Sequence, residues 1–133
     1  MLGRRLWRVD AVPDSLDALF RTAFGYSGGI PRVFLQLIAD AATYARVKRG
    51  ASWPTSADLS DALADQADSF RRALLPGDTD AITAVLGTDG RELDLERRVR
   101  LMAQGILLER VRDGGVQLEI HPLAAFAIPA QSR

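Results

Sequence analysis

Ser27-Gly28-Gly29-Ile30-Pro31-Arg32 separates two apolar stretches with helical spacing, and its reading decides the architecture of the first half of the chain. The glycine pair lets the backbone turn sharply. Pro31 has a fixed dihedral and no N–H, which suits the first turn of a helix, where that N–H would have no partner. A helix is therefore predicted from Pro31 to about Arg49. Its stripe of Val33, Phe34, Leu37, Ile38, Ala41, Ala42 and Ala45 is wide enough to pack on two neighbours, and Asp40, Arg46 and Lys48 mark the wetter side.

Upstream, Pro13 and Asp14 offer a helix start, and Leu16, Leu19, Phe20 and Ala23 recur at helical spacing before Gly25. Downstream, Gly50 to Thr55 reads as a loop, because Pro54 cannot continue a helix. Thr55 or Ser56 then caps a third helix with Leu59, Ala62, Leu63, Ala67, Phe70 and Leu74 on its apolar face. Trp53 is expected to fold back onto that face. Asp58, Asp61, Asp65 and Asp68 follow one edge of the helix; they suit a basic partner or a divalent cation, but a solvated face is the simpler reading. Pro76 and Gly77 stop the helix and set a predicted domain boundary, with residues 1–75 on one side and 76–133 on the other.

Beyond that boundary, Asp78 starts a short helix with Ile82, Val85 and Leu86 inward, and Gly87 to Gly90 turns the chain. A further helix is predicted from about Asp94 to Gln104, ended by Gly105. Ile106 to Arg112 then faces Val116 to Ile120 across Asp113-Gly114-Gly115, a strong hairpin signal. Two helices followed by a hairpin form the skeleton of a winged helix. The expected fold is mainly α: a three-helix bundle followed by a small winged-helix domain with one β-hairpin.

Composition narrows the function classes. Lys+Arg and Asp+Glu both number 17, so no net charge draws the whole molecule to nucleic acid or to an anionic membrane. The chain has no Cys, which excludes disulfides, thiolate metal sites and thiol catalysis. Met1 to Asp10 carries Arg4, Arg5 and Arg8 without the apolar core of a signal peptide. The longest uncharged stretch, Ile120 to Ser132, is broken by Pro122 and Pro129 and falls short of the roughly 20 apolar residues a bilayer crossing needs. A cytoplasmic protein with no membrane partner is expected. His121 is the one histidine and lacks companions at metal-ligand spacing, so it is assigned to the end of a strand and no metal site is predicted.

Arg32 is the informative charge. A cation in the first turn of a helix faces the positive end of the helix dipole, which costs about 0.3 to 1 kcal/mol when nothing compensates. A surface carboxylate could relieve that cost. So could an incoming anion, because helix amino termini and guanidinium groups both favour phosphate.

Ser27-Gly28-Gly29-Ile30-Pro31-Arg32, followed by an apolar, Ala-rich helix, resembles the sensor-2 segment in the helical lid of AAA+ ATPases and related STAND-type signalling ATPases. The third helix, opening Thr55-Ser56-Ala57-Asp58 and continuing Leu59, Ala62 and Leu63, is similar to the last helix of that lid. Leu101-Met102-Ala103-Gln104-Gly105-Ile106-Leu107 and Ile120-His121-Pro122-Leu123 are similar to the winged helix that follows the lid in many of these proteins. The resemblance covers almost the whole chain. It implies that Arg32, positioned by Gly28, Gly29 and Pro31, reaches the terminal phosphates of ATP and couples lid position to nucleotide state.

This sequence departs from the family in one large respect. It has no G-x-x-x-x-G-K-[ST] phosphate loop and no apolar strand ending in magnesium-binding acids, and its only lysine, Lys48, lies within a predicted helix. The chain alone is therefore not expected to be an enzyme, and ATP is a cofactor only together with a nucleotide-binding core. That core would precede Met1 in a longer protein, with Leu2 to Asp10 ending the connection. The expected partners are the ATPase core and neighbouring subunits.

A free-standing winged-helix DNA binder is the alternative, with Arg97, Arg100, Arg110 and Arg112 on the phosphates. Between Arg91 and Ile120, however, six arginines are matched by six acids, whereas a phosphate-binding face carries a local basic excess. The balance favours protein contact. A third possibility is a scaffold module that only mediates assembly.

Overall fold

Ser15 opens the first helix in the computed structural model, which describes residues 15–128: its Oγ accepts the Ala18 N–H at 3.2 Å. The expected start at Pro13 and Asp14 lies outside the described residues. Helix α1 spans Leu16–Tyr26 and buries Leu19 and Ala23. It continues one residue past Gly25 and ends where the Ser27 N–H returns to the carbonyls of Ala23 and Phe24. Gly28 and Gly29 then take φ values of +68° and +76°, a left-handed pair that a Cβ would strain and that turns the chain into the next helix.

Helix α2 runs over Pro31–Arg49 and buries Leu37, Ala41 and Ala45, spaced four apart on one face. Arg46, Lys48 and Arg49 occupy its last turn, where cations complement the helix dipole. Helix α3, Ser56–Ala73, buries Asp58, Leu59, Ala62, Leu63 and Ala64. Its entry is tied by Asp58 Oδ2, which accepts the Thr55 N–H at 2.9 Å and the Thr55 hydroxyl at 3.2 Å, a carboxylate reaching back over the first turn. Trp53 does not fold back onto this helix. Its side chain is 67% exposed, while Pro54 takes the buried position ahead of the cap.

The chain divides into two compact units, Met1–Asp68 and Ser69–Arg133, with the division inside α3. In the second unit, α4 covers Asp78–Val85 and α5 covers Leu95–Ala103. Asp94 caps α5 by accepting the Arg97 N–H at 3.1 Å. Leu86, expected inward, leaves α4 in extended conformation and is partly exposed, because the helix stops at Val85. Strands β1 (Leu107–Arg112) and β2 (Gly115–Ile120) pair antiparallel, with Leu107 opposite Ile120 and Arg112 opposite Gly115. The hairpin loop is thus Asp113-Gly114, and Gly115 belongs to the ladder. Ile106 precedes the strand, where its carbonyl accepts the His121 N–H at 2.8 Å.

Residues far upstream also join the hairpin. The Gly87 N–H donates to the Leu118 carbonyl at 2.9 Å, and the Leu118 N–H donates to the Thr88 carbonyl at 2.7 Å. Ile82, Val85, Leu93, Leu101, Ile106, Leu107, Leu118 and Ala124 form the buried apolar cluster of this unit. A 3-10 turn at Ala124–Ala127 ends the described fold. The chain is mainly helical, with five α-helices and one two-stranded antiparallel hairpin among the described residues. None of these helices is long and apolar enough to cross a membrane.

Candidate functional site

The turn into α2 is built around Ser27. This buried hydroxyl donates to the Phe24 carbonyl at 2.6 Å and accepts the Gly29 N–H at 3.2 Å. The Ile30 N–H bonds the Ser27 carbonyl at 3.2 Å, so the loop is held from within and delivers Ile30 to the N-cap position. Ile30 has no side chain able to cap, and the first turn of α2 contains no acid. The first bond to close the helix runs from the Phe34 N–H to the Ile30 carbonyl at 3.0 Å. The Arg32 and Val33 amides therefore sit at a helix start that lacks a side-chain cap.

Arg32 is exposed and makes no ion pair among the described residues. Pro31 is exposed beside it, Gly29 is exposed and Gly28 is buried in the turn. The four residues singled out in the sequence thus meet at one helix entrance. Phe34, two residues on, carries the edges of Phe20 and Phe24 at centroid distances of 6.2 and 6.3 Å, an aromatic cluster that fixes α1 against the start of α2. A guanidinium beside uncapped amides attracts an anion, because charge and dipole act in the same direction.

The arginines of the second unit are arranged differently. Arg97 Nε lies 3.0 Å and Arg100 Nη2 lies 2.6 Å from Asp78 Oδ1. Arg98 Nη2 reaches Glu109 at 2.7 Å. Arg110 Nε lies 3.5 Å from Glu119 Oε1, and Arg112 grips Glu119 Oε2 through Nη2 at 2.5 Å and Nε at 2.9 Å. Every arginine named for phosphate contact in the DNA alternative is therefore paired with a carboxylate of this chain.

Asp78 was not legible as the centre of this network. Its side chain is fully buried, and Oδ2 accepts the Leu75 N–H at 2.7 Å across the Pro76-Gly77 turn. Burial alone would push its pKa up, but the hydrogen bonds from Arg100 and the Leu75 amide, with the charges of Arg100 and Arg97, hold it below the ordinary carboxylate value. Arg100 is shifted up in return, chiefly by the hydrogen bond to Asp78. Asp58 repeats the device in the first unit. Burial opposes its ionisation, yet Arg49, at 2.5 Å, and the Thr55 groups lower its pKa. The expected solvated aspartate edge therefore begins with a buried ion pair, and Asp61 is held by Lys48 at 2.8 Å. A signal for Asp78 existed in Arg97 and Arg100, which lie three apart on one helix.

His121 follows β2 and is buried. Its Nδ1 accepts the Leu123 N–H at 3.1 Å, and its ring stacks on Phe70 at 4.7 Å. Among the described residues no group of three His, Asp or Glu side chains is placed to hold a metal ion. The chain matches no protein-family model, no curated protein and no solved structure.

Proposed function

We propose that this chain is the helical lid and winged-helix portion of an AAA+/STAND-type ATPase, in which Arg32 reads the terminal phosphates of a nucleotide held by a separate core. The observation that carries this reading is the exposed Arg32 guanidinium, without a carboxylate among the described residues, at a helix start without a side-chain cap. An anion there offsets the unfavourable meeting of a cation and the helix dipole. The lid closes when triphosphate is present and relaxes when the last phosphate leaves, so nucleotide state becomes position.

The second unit supports protein contact rather than DNA contact for the winged helix. Its arginines are already paired with Asp78, Glu109 and Glu119, and releasing them to a duplex would break those pairs. On this reading the chain is a regulatory module and not an enzyme by itself.

Two measurements test the role of Arg32. In the isolated, isotope-labelled chain, titration with tripolyphosphate should move the backbone resonances of Arg32 and Val33, and Arg32→Ala should abolish the movement. In an ATPase assembled with its core, Arg32→Ala should weaken ATP binding or turnover about tenfold or more, as expected for loss of a charge-assisted phosphate contact of 1.5–3 kcal/mol. Unchanged nucleotide affinity and turnover would remove the proposal.

A further inference from the structure

Two exposed apolar patches, one on each unit, carry opposite charge. At the end of α2, Val47 is 74% exposed beside Arg46, and Trp53, 67% exposed, follows the Gly50 cap. Lys48 and Arg49 are bound to Asp61 and Asp58, whereas Arg46 has no ion pair among the described residues. On α5, Leu95 is 73% and Val99 58% exposed, one turn apart on the side opposite the buried Leu101. Glu92, three residues before Leu95, and Glu96, next to it in sequence, are exposed; Glu92 is in no ion pair among the described residues, and the charge of Glu96 also acts on Arg100. The arginines of α5 bond to carboxylates outside this face: Arg97 and Arg100 turn to Asp78 and Arg98 turns to Glu109.

We propose that the basic apolar end of α2 in one copy of this chain docks on the acidic apolar face of α5 in a second copy. The exposed Arg46 stands on one side and the exposed Glu92 and Glu96 on the other. The two are complementary in sign and each offers two large apolar side chains, with Trp and Arg, residue types enriched at the energetic centres of interfaces, on the basic side. A second copy is the one partner whose complementary surface is already present. Such a contact joins two different surfaces, so each copy brings one surface of each kind. The proposal does not rest on phosphate recognition, since Arg46 lies fourteen residues beyond Arg32, roughly 21 Å along α2.

Sedimentation velocity on the described chain tests it. The sedimentation coefficient of the wild-type chain should rise with concentration and fall back as salt is added. Leu95→Asp, which spoils only the α5 patch, and Val47→Asp, which spoils only the α2 patch, should each sediment as monomers at every concentration. Mixed in equal amounts, the two variants retain one intact patch of each kind and should form dimers that grow no further. That restored dimer also shows that both variants are folded. Arg32→Ala should associate as the wild type does. A wild-type chain that stays monomeric, a mixture that stays monomeric, or single variants that still associate would each overturn the proposal.

Discussion

Asp78, at the start of α4, accepts a hydrogen bond from Arg100 of α5 at 2.6 Å although the two residues stand 22 positions apart. The same carboxylate oxygen takes Arg97, and the second oxygen takes the Leu75 amide. One buried anion thus ties together the turn before α4 and the arginine side of α5. Replacing Asp78 by Ala leaves those donors facing a gap. The expected loss is about 2 to 3 kcal/mol, typical of removing a buried charged acceptor whose partners are partly solvated. Urea denaturation should show the midpoint fall with little change in slope. Asp80→Ala, an exposed first-turn acid, should cost less than about 1 kcal/mol.

Acid sensitivity follows from the same carboxylates. The folded-state pKa values of Asp78 and Asp58 lie below the ordinary 3.8. On either side of that value the unfolded chain binds more protons, so this contribution is complete at neutral pH and is lost as pH falls from about 4 through the lowered values. Stability measured between about pH 6 and about pH 2, a span of roughly two units either side of the ordinary value, should decline most steeply below about pH 4. Asp78→Asn should flatten part of that decline; an unchanged slope would show that Asp78 carries no such linkage.

Gly90 and Gly87 share a left-handed backbone but differ in surroundings. A Cβ at Gly90 would meet Leu118 Cδ1 at 2.3 Å and Arg98 Nη1 at 2.9 Å, whereas one at Gly87 would meet nothing within 4 Å. Gly87→Ala should cost about 1 to 2 kcal/mol from the backbone alone. Gly90→Ala should cost at least about 1 kcal/mol more, because a packed leucine must move. Thermal melts of the two variants under one condition decide the order, and equal losses would contradict the packing around Leu118.

Duplex DNA should not bind measurably at low salt. Arg97, Arg98, Arg100, Arg110 and Arg112 are all held by carboxylates, so the described part of the second unit offers few unpaired cations to displace counterions. Fluorescence anisotropy of a labelled duplex at two salt concentrations is the check. Affinity that falls steeply with salt and is lost in Arg112→Ala would revive the DNA alternative.

The local grammar of the chain was legible. Pro31 marked the start of α2, Pro76-Gly77 the stop that follows α3 within three residues, and Asp113-Gly114-Gly115 the hairpin, although Gly115 joins the ladder, because each depends on backbone geometry that one or two residue types dictate. Long-range partnership was not. Asp58 and Asp78 read as a solvated edge and a helix cap, since nothing within a few residues announces Arg49 or Arg100 as their counter-ions. Trp53, just ahead of the cap, was expected to fold back onto the apolar face of the third helix, yet Pro54 occupies the buried place next to it. At the candidate site, the position of Arg32 at a helix entrance followed from Pro31. Its open surroundings required knowing where every carboxylate of the described chain had gone.

Leu118 is fastened by Gly87 and Thr88, roughly thirty residues earlier, in addition to its hairpin neighbour. Connections of that span form only after a long loop has closed, whereas helical turns and a two-residue hairpin arise from neighbours along the chain. In a refolding experiment the segment from Ser69 onward should therefore be the slower to acquire protected amides, with those of Gly87 and Leu118 among the last to resist exchange.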